Sequence, residues 1–200
     1  MAIVLPMAVA CTEDDMDEVE EYPNWKETNE EYFESLSDSV IALIEADPDR
    51  TDWMRIKSWS KDEDEEGEST DYIIVNVIEA GDEDGECPIY TDTVEVSYTG
   101  RLLPSVSYPS GYVFDRTFYG DYDPELSAST TLAIGDSYGT ELIDGFATAL
   151  QNMRCGDHWK VYIPYQLGYG SSGSSSVPGY STLIFDTVLL DFWGAVLDIE

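Results

Sequence analysis

Few side chains in this sequence suit nucleophilic, general-base or metal chemistry, and their spacing keeps them apart. His158 is the one histidine and opens an alternating stretch, His158-Trp159-Lys160-Val161-Tyr162-Ile163, where a structural or surface role is expected. The cysteines are Cys11, Cys87 and Cys155, with no CxxC pair and no His-Cys cluster. Cys87 and Cys155 either bridge or stay two thiols, and sequence leaves both readings open. Asp82-Glu83-Asp84-Gly85 invites a calcium reading, but the remaining positions of a calcium loop do not follow. No Ser-His-Asp, Cys-His or metal-ligand constellation is present, which argues against hydrolase chemistry.

The charge is extreme and uneven. The formal net charge is −33, and 29 of the 42 acidic residues precede Val94. Such a surface repels nucleic acid and anionic headgroups and favours solubility, so no nucleic-acid partner is expected. Apolar content of 42% and five tryptophans allow a sizeable core. No stretch reaches the roughly 20 apolar residues needed to span a bilayer.

The elements that must position any site follow from periodicity. Residues 11–23 are acidic and nearly devoid of apolar side chains, which predicts a disordered tether. Trp25 to Ala46 predicts a helix capped by Asn24, with Trp25, Tyr32, Phe33, Leu36, Val40, Leu43 and Ile44 on one broad face. Asp47-Pro48 ends it, because the residue before proline is pushed out of helical geometry. That face is buried either on the domain's own sheet or in a dimer. Trp53 to Ser60 reads as a strand or a short helix, residues 61–70 as an acidic loop, and Tyr72 to Ile78 as a buried strand. Val94 to Leu103 is a strand with Val94, Val96 and Tyr98 on one face and Glu95 and Ser97 on the other. Thr131 to Gly135 is a further strand, and Gly170 to Gly179 a flexible hairpin loop.

From Leu142 to Gly170 the pattern is most specific. Ile143, Phe146, Leu150 and Met153 fall at helical spacing, Cys155-Gly156-Asp157 stops the helix, and a strand runs to Pro164. This helix, turn and strand, followed by Ile163-Pro164 and Leu167-Gly168-Tyr169-Gly170, resembles the FKBP-type peptidyl-prolyl isomerase domain. Val94-Glu95-Val96-Ser97-Tyr98-Thr99-Gly100, Phe114-Asp115 and Ser181 to Leu190 (STLIFDTVLL) are similar to further family pieces in the same order. The resemblance covers roughly residues 72–193. It implies an α+β fold, an FKBP-like twisted antiparallel sheet wrapped around the 143–153 helix, with an N-terminal helical extension. The expected division is 1–23 signal remnant and tether, 24–70 helix and acidic extension, and 71–200 isomerase-like domain.

The resemblance also implies a site. Tyr98, Phe114, Leu142, Phe146, Val177 and Phe185 would bind substrate. The Ile143 amide and the Tyr169 hydroxyl would donate hydrogen bonds to its carbonyls, and Asp115 would place a carboxylate beside the reacting amide. The substrates would be proline-containing polypeptides, with FK506-like macrolides as further ligands and no cofactor or metal. Phe146 stands where many members have tryptophan. Ser129-Thr130 replace an expected aromatic, and Gly120 replaces a common arginine, with Arg116 next to Asp115 as a substitute partner for the carboxylate. These departures imply reduced activity, with a catalytically weak proline-binding or chaperone module, or a structural surface lipoprotein, as alternatives. The segments 104–111 and 136–141 exceed the family pattern and would border the pocket mouth. A monomer or weak dimer is expected.

Ala8-Val9-Ala10-Cys11, after an apolar run and before an acidic tract, looks like a bacterial lipobox. Lipid on Cys11 would anchor the chain in the bacterial cell envelope, the acyl chains supplying the membrane contact, with an upstream start providing the missing positive residues. Mass spectrometry of the membrane fraction is expected to find a lipidated N-terminal Cys11; an unmodified peptide still carrying residues 1–10 would rule this out.

Overall fold

The computed structural model describes residues 20–135 and 142–194. Cys11, most of the tether and the 136–141 insertion lie outside the described residues. The fold is α+β, as expected. Seven antiparallel strands make one sheet: β1 (Trp53–Lys57), β2 (Tyr72–Glu79), β3 (Thr93–Arg101), β4 (Val113–Arg116), β5 (Thr130–Ala133), β6 (His158–Ile163) and β7 (Leu183–Trp193). Their order is β1-β2-β6-β7-β3-β4, with β5 also paired to β3. Helix α1 (Trp25–Ala46) precedes the strands, and α2 (Asp144–Leu150) lies between β5 and β6. β1 pairs with β2 from Trp53↔Asn76 to Lys57↔Tyr72, so the sheet runs across the residue 70–71 boundary drawn from sequence.

The β-branched run of β2 is buried at Ile73, Ile74 and Val75 because both sheet faces are covered. α2 packs against β1, β2 and β6, and α1 packs against β1 and β2. Every residue of α2 from Gly145 to Leu150 is buried. Gly145 allows the close approach: a Cβ there would stand 2.3 Å from Ile163 Cγ2. The helix is shorter than the apolar spacing predicts. Past Leu150 the side-chain amides of Gln151 and Asn152 bond the carbonyls of Ala147 and Thr148, at 3.1 and 2.8 Å, and close the helix end. Gly156, at φ +89°, serves the turn that follows.

α1 packs on the domain's own sheet, with Trp25, Phe33 and Val40 in the same core cluster as the strands. Its buried stripe is Trp25, Asn29, Phe33, Ser37 and Val40, narrower than the expected face, and Tyr32 and Leu43 remain exposed. Asn24 occupies the cap position, but at φ 51° its side chain makes no capping bond. Asn29, one turn on, ties the helix to the chain just before β7. Its Oδ1 accepts from the Thr182 backbone N–H at 2.7 Å and its Nδ2 donates to the Trp25 carbonyl at 2.6 Å.

One further expectation is corrected. The strand predicted over 53–60 ends at Lys57, since Trp59 turns its N–H to Thr148 Oγ1 of α2 at 3.2 Å. Both faces of β3 are covered at Ser97, which is buried although it lies opposite Val96 and Tyr98. The segment after β4 folds over it, so that Ser97 Oγ donates to the Ala128 carbonyl at 2.9 Å and Thr99 lies under Phe118.

Asn29→Ala leaves the buried Thr182 N–H without its acceptor and is expected to cost about 1–3 kcal/mol of stability. Chemical denaturation measures it; an unchanged midpoint would show that this bond contributes nothing.

Candidate active site

Five aromatic rings from five segments meet on the α2 face of the sheet. Phe146 of α2 stacks on Phe185 of β7 with centroids 4.5 Å apart. Tyr98 of β3 meets both, at 5.7 and 6.0 Å. Phe114 of β4 stands edge-on to Phe185 at 5.6 Å and to Tyr169 at 6.4 Å. These edge and offset geometries suit the positive rims and negative faces of the rings. Gly100 makes room for them. A Cβ there would lie 2.7 Å from Phe114 Cζ and 2.9 Å from Phe185 Cε1. The spacing of the β3 motif placed Gly100 in the strand but gave no hint of this role.

The cluster runs from a dry floor to an open rim. Phe146 and Phe185 are 3% and 4% exposed, whereas Tyr169 is 38% exposed and Asp115 is also exposed. At the rim the Tyr98 hydroxyl donates to Asp115 Oδ2 at 2.7 Å, and the Arg116 backbone N–H donates to Oδ1 at 2.8 Å. The carboxylate is therefore held in one orientation. Burial, and then the bond to Asp115, holds the Tyr98 phenol well above its usual range. Burial, and then the Asp115 charge, pushes the Tyr169 phenol upward as well. Both stay protonated at neutral pH and able to donate. The Arg116 guanidinium is not the partner of Asp115: it lies 3.7 Å from the centre of the Tyr119 ring. Among the described residues Asp115 forms no ion pair.

The other predicted residues flank this cluster. Ile143 is the N-cap of α2, with φ −59° and ψ 141°, and its carbonyl accepts from Phe146 and Ala147. Leu142 and Ile143 are half-buried against the core, and Val177 is buried within it. The loop carrying Val177 is more ordered than its serine content predicts. Gly170 N–H bonds Tyr165 O, Gly173 N–H bonds Tyr169 O, Ser174 N–H bonds Val177 O and Tyr180 N–H bonds Gly170 O. Positive φ at Gly170 and Gly173 permits these turns. His158 takes no part in the cluster. It lies 2.6 Å from Asp186, the neighbour of Phe185, whose side chain leaves the strand on the opposite face. Cys87 and Cys155 are free thiols.

Chemically, the arrangement offers an apolar ring a dry aromatic surface and offers an amide beside it a fixed carboxylate and the Tyr169 hydroxyl as a donor. It supplies no nucleophile, and binding a planar or twisted amide needs none.

Residues 86–190 match the family model described as FKBP-type peptidyl-prolyl cis-trans isomerase. The chain is 39% identical over 104 residues to the macrophage infectivity potentiator of Trypanosoma cruzi, covering 52% of this chain and 44% of that protein. It is 31% identical over 119 residues to the FKBP-type peptidyl-prolyl cis-trans isomerase FkpA of Escherichia coli K12, covering 60% of this chain and 37% of that one. The crystal structure of Escherichia coli FkpA aligns with a TM-score of 0.50 at 26% identity, over 86% of this chain and 65% of that one. The chain thus spans less than half the length of these two curated relatives. With the family match extending from before β3 into β7, across the segments that carry all five rings, the chain belongs to the FKBP-type peptidyl-prolyl cis-trans isomerase family.

Proposed function

We propose that this chain catalyses cis-trans rotation about Xaa-Pro bonds in exported polypeptides. The observation that carries the reading is the five-ring cluster with the Tyr98–Asp115 hydrogen bond at its rim. The barrier to rotation is about 18–20 kcal/mol and comes from amide resonance, which a twisted C–N bond loses. The twisted amide has a less polar carbonyl and a more pyramidal nitrogen, so it depends less on water than the planar one. A dry aromatic seat for the proline ring therefore favours the twisted state over the ground state, and that difference is the catalysis. In this reading Phe146 and Phe185 form the floor, and Tyr98, Phe114, Leu142 and Val177 the walls. The Ile143 amide and the Tyr169 hydroxyl direct hydrogen bonds to the substrate carbonyls. Asp115, held by Tyr98, faces the reacting amide. The same seat would accept FK506-like macrolides.

One observation favours a second reading, a module that binds proline peptides and turns them over poorly. Asp115 is oriented by Tyr98 and by a backbone amide but has no cation beside it among the described residues. The packing of α1 on its own sheet supports a monomer. Display from a bacterial envelope through Cys11 remains part of the proposal on the sequence grounds given above.

Exchange NMR on an Xaa-Pro peptide is expected to show faster isomerisation with the protein; binding without faster exchange selects the second reading. Tyr169→Phe removes one donor and is expected to keep the fold while lowering activity. An unfolded variant with unchanged activity per folded molecule would show that Tyr169 is structural instead. Phe146→Ala empties the floor and is expected to cost about 3–5 kcal/mol of stability, read by thermal or urea unfolding.

A further inference from the structure

The segment before α1 is strapped to two loops at the rim of the aromatic cluster. The Glu21 carboxylate accepts hydrogen bonds from Ser105 Oγ at 2.6 Å and from the Ser107 backbone N–H at 2.9 Å. The Glu21 carbonyl accepts a longer bond from the Val106 N–H, at 3.4 Å. Tyr22 packs on Trp25 at 4.7 Å. The Trp25 indole donates to Ser181 Oγ at 2.9 Å, and that hydroxyl donates onward to the Pro178 carbonyl at 2.6 Å. The strap is thus fixed to the 104–112 loop at one point and to the 174–182 loop at another.

Where strap and loops meet lies an open groove of about 560 Å³. Tyr22, Tyr108, Tyr112, Val177 and Pro178 supply its apolar lining, and Ser107 and the Ser174–Ser176 run its hydroxyls. Tyr108 meets Tyr112 edge-on at 5.0 Å and is 43% exposed, so its ring faces outward with one side already held. The groove joins the proline seat through shared parts. Val177 is a wall of that seat, and Tyr112 lies two residues before Phe114. Among the described residues that line the groove, Glu21 is the only charged one.

We infer that this groove is a second subsite of the same site, holding the stretch of substrate polypeptide that flanks the proline. The inference rests on the isomerase reading above. It takes an extended segment with an aromatic or aliphatic side chain and without acidic residues. Tyrosine rings give large, rigid contact area at low entropic cost. The serine hydroxyls suit the unpaired backbone groups of an extended chain. An acidic segment meets Glu21 and the field of a protein with net charge −33.

The test compares a short Xaa-Pro peptide, the same peptide extended on either side by a phenylalanine-containing stretch, and the extended peptide with glutamate in place of phenylalanine. Exchange NMR gives kcat/KM for each with the wild-type chain, with Tyr108→Ala and with Tyr22→Ala. The Tyr108 ring is exposed, so its loss leaves the core intact. The wild-type chain is expected to prefer a phenylalanine-extended peptide to the short one by about five- to tenfold, the worth of about one aromatic contact. Tyr108→Ala is expected to abolish that preference and leave the short peptide unchanged, and the glutamate peptide to show no preference. Equal values for short and extended peptides in the wild type, or an equal loss on both in Tyr108→Ala, overturns the subsite. If the wild-type chain speeds none of the peptides, the isomerase reading fails by itself, and the subsite is judged by affinity for the same peptides. A Tyr108-dependent preference then upholds it, and equal affinities overturn it.

Discussion

The stack of Phe146 on Phe185 is the contact on which the rest of the structure depends. It joins α2 to β7, the strand that pairs with both β3 and β6. A seven-residue helix has too few turns to be stable in isolation, so α2 exists because the sheet buries nearly all of it. Two close approaches, at Gly145 against Ile163 and at Gly100 against Phe114 and Phe185, let helix, sheet and rings come together without a gap. The ring cluster is therefore part of the core itself, exposed at its Tyr169 and Asp115 end, and its geometry is as fixed as the core's.

Polar ties then fix what the rings leave free. Asp115 is oriented by Tyr98 from the neighbouring strand, and the Val177 turn is closed by its own backbone. The first turn of α1 takes hold of the chain just before β7 through Trp25–Ser181 and Asn29–Thr182. Tyr180 sits between those ties at φ 63°, a costly backbone state for a side chain of that size. Its ring meets Tyr165 at 5.1 Å and lies under Lys26. These contacts hold the strained residue in place, which couples the N-terminal helix to the 174–182 loop.

Much of the fold and of the ring cluster was legible because it is written in contiguous, periodic motifs. Alternation in β3, β6 and β7 and the spacing around Phe146 are local signals, and order along the chain tied them together. What sequence did not disclose depends on partners distant in the chain. Asn29 and Thr182 are 153 residues apart, and nothing near either marks it as the other's partner. Nothing in the β3 motif marks Ser97 and Thr99 for burial, since the segment that covers them lies far along the chain, after β4. The end of α2 was misplaced because two side-chain amides close it before its apolar spacing runs out. Arg116 next to Asp115 suggested an ion pair, but on a strand neighbouring side chains leave on opposite faces.

The outer edge of β3 is closed along its whole length. β5 pairs with Thr93 to Val96 and β4 with Thr99 to Arg101. Between them the Tyr98 N–H bonds Thr117 Oγ1 and the Tyr98 carbonyl accepts from the Thr117 N–H. On this side of the sheet the unpaired backbone edges lie one strand further out, on β4 and β5, and not on the strand that carries Tyr98. On β3 itself only side chains remain to be gripped, which is a looser and register-free hold. A strand closed on both sides in this way cannot template the edge-to-edge pairing that leads to aggregation.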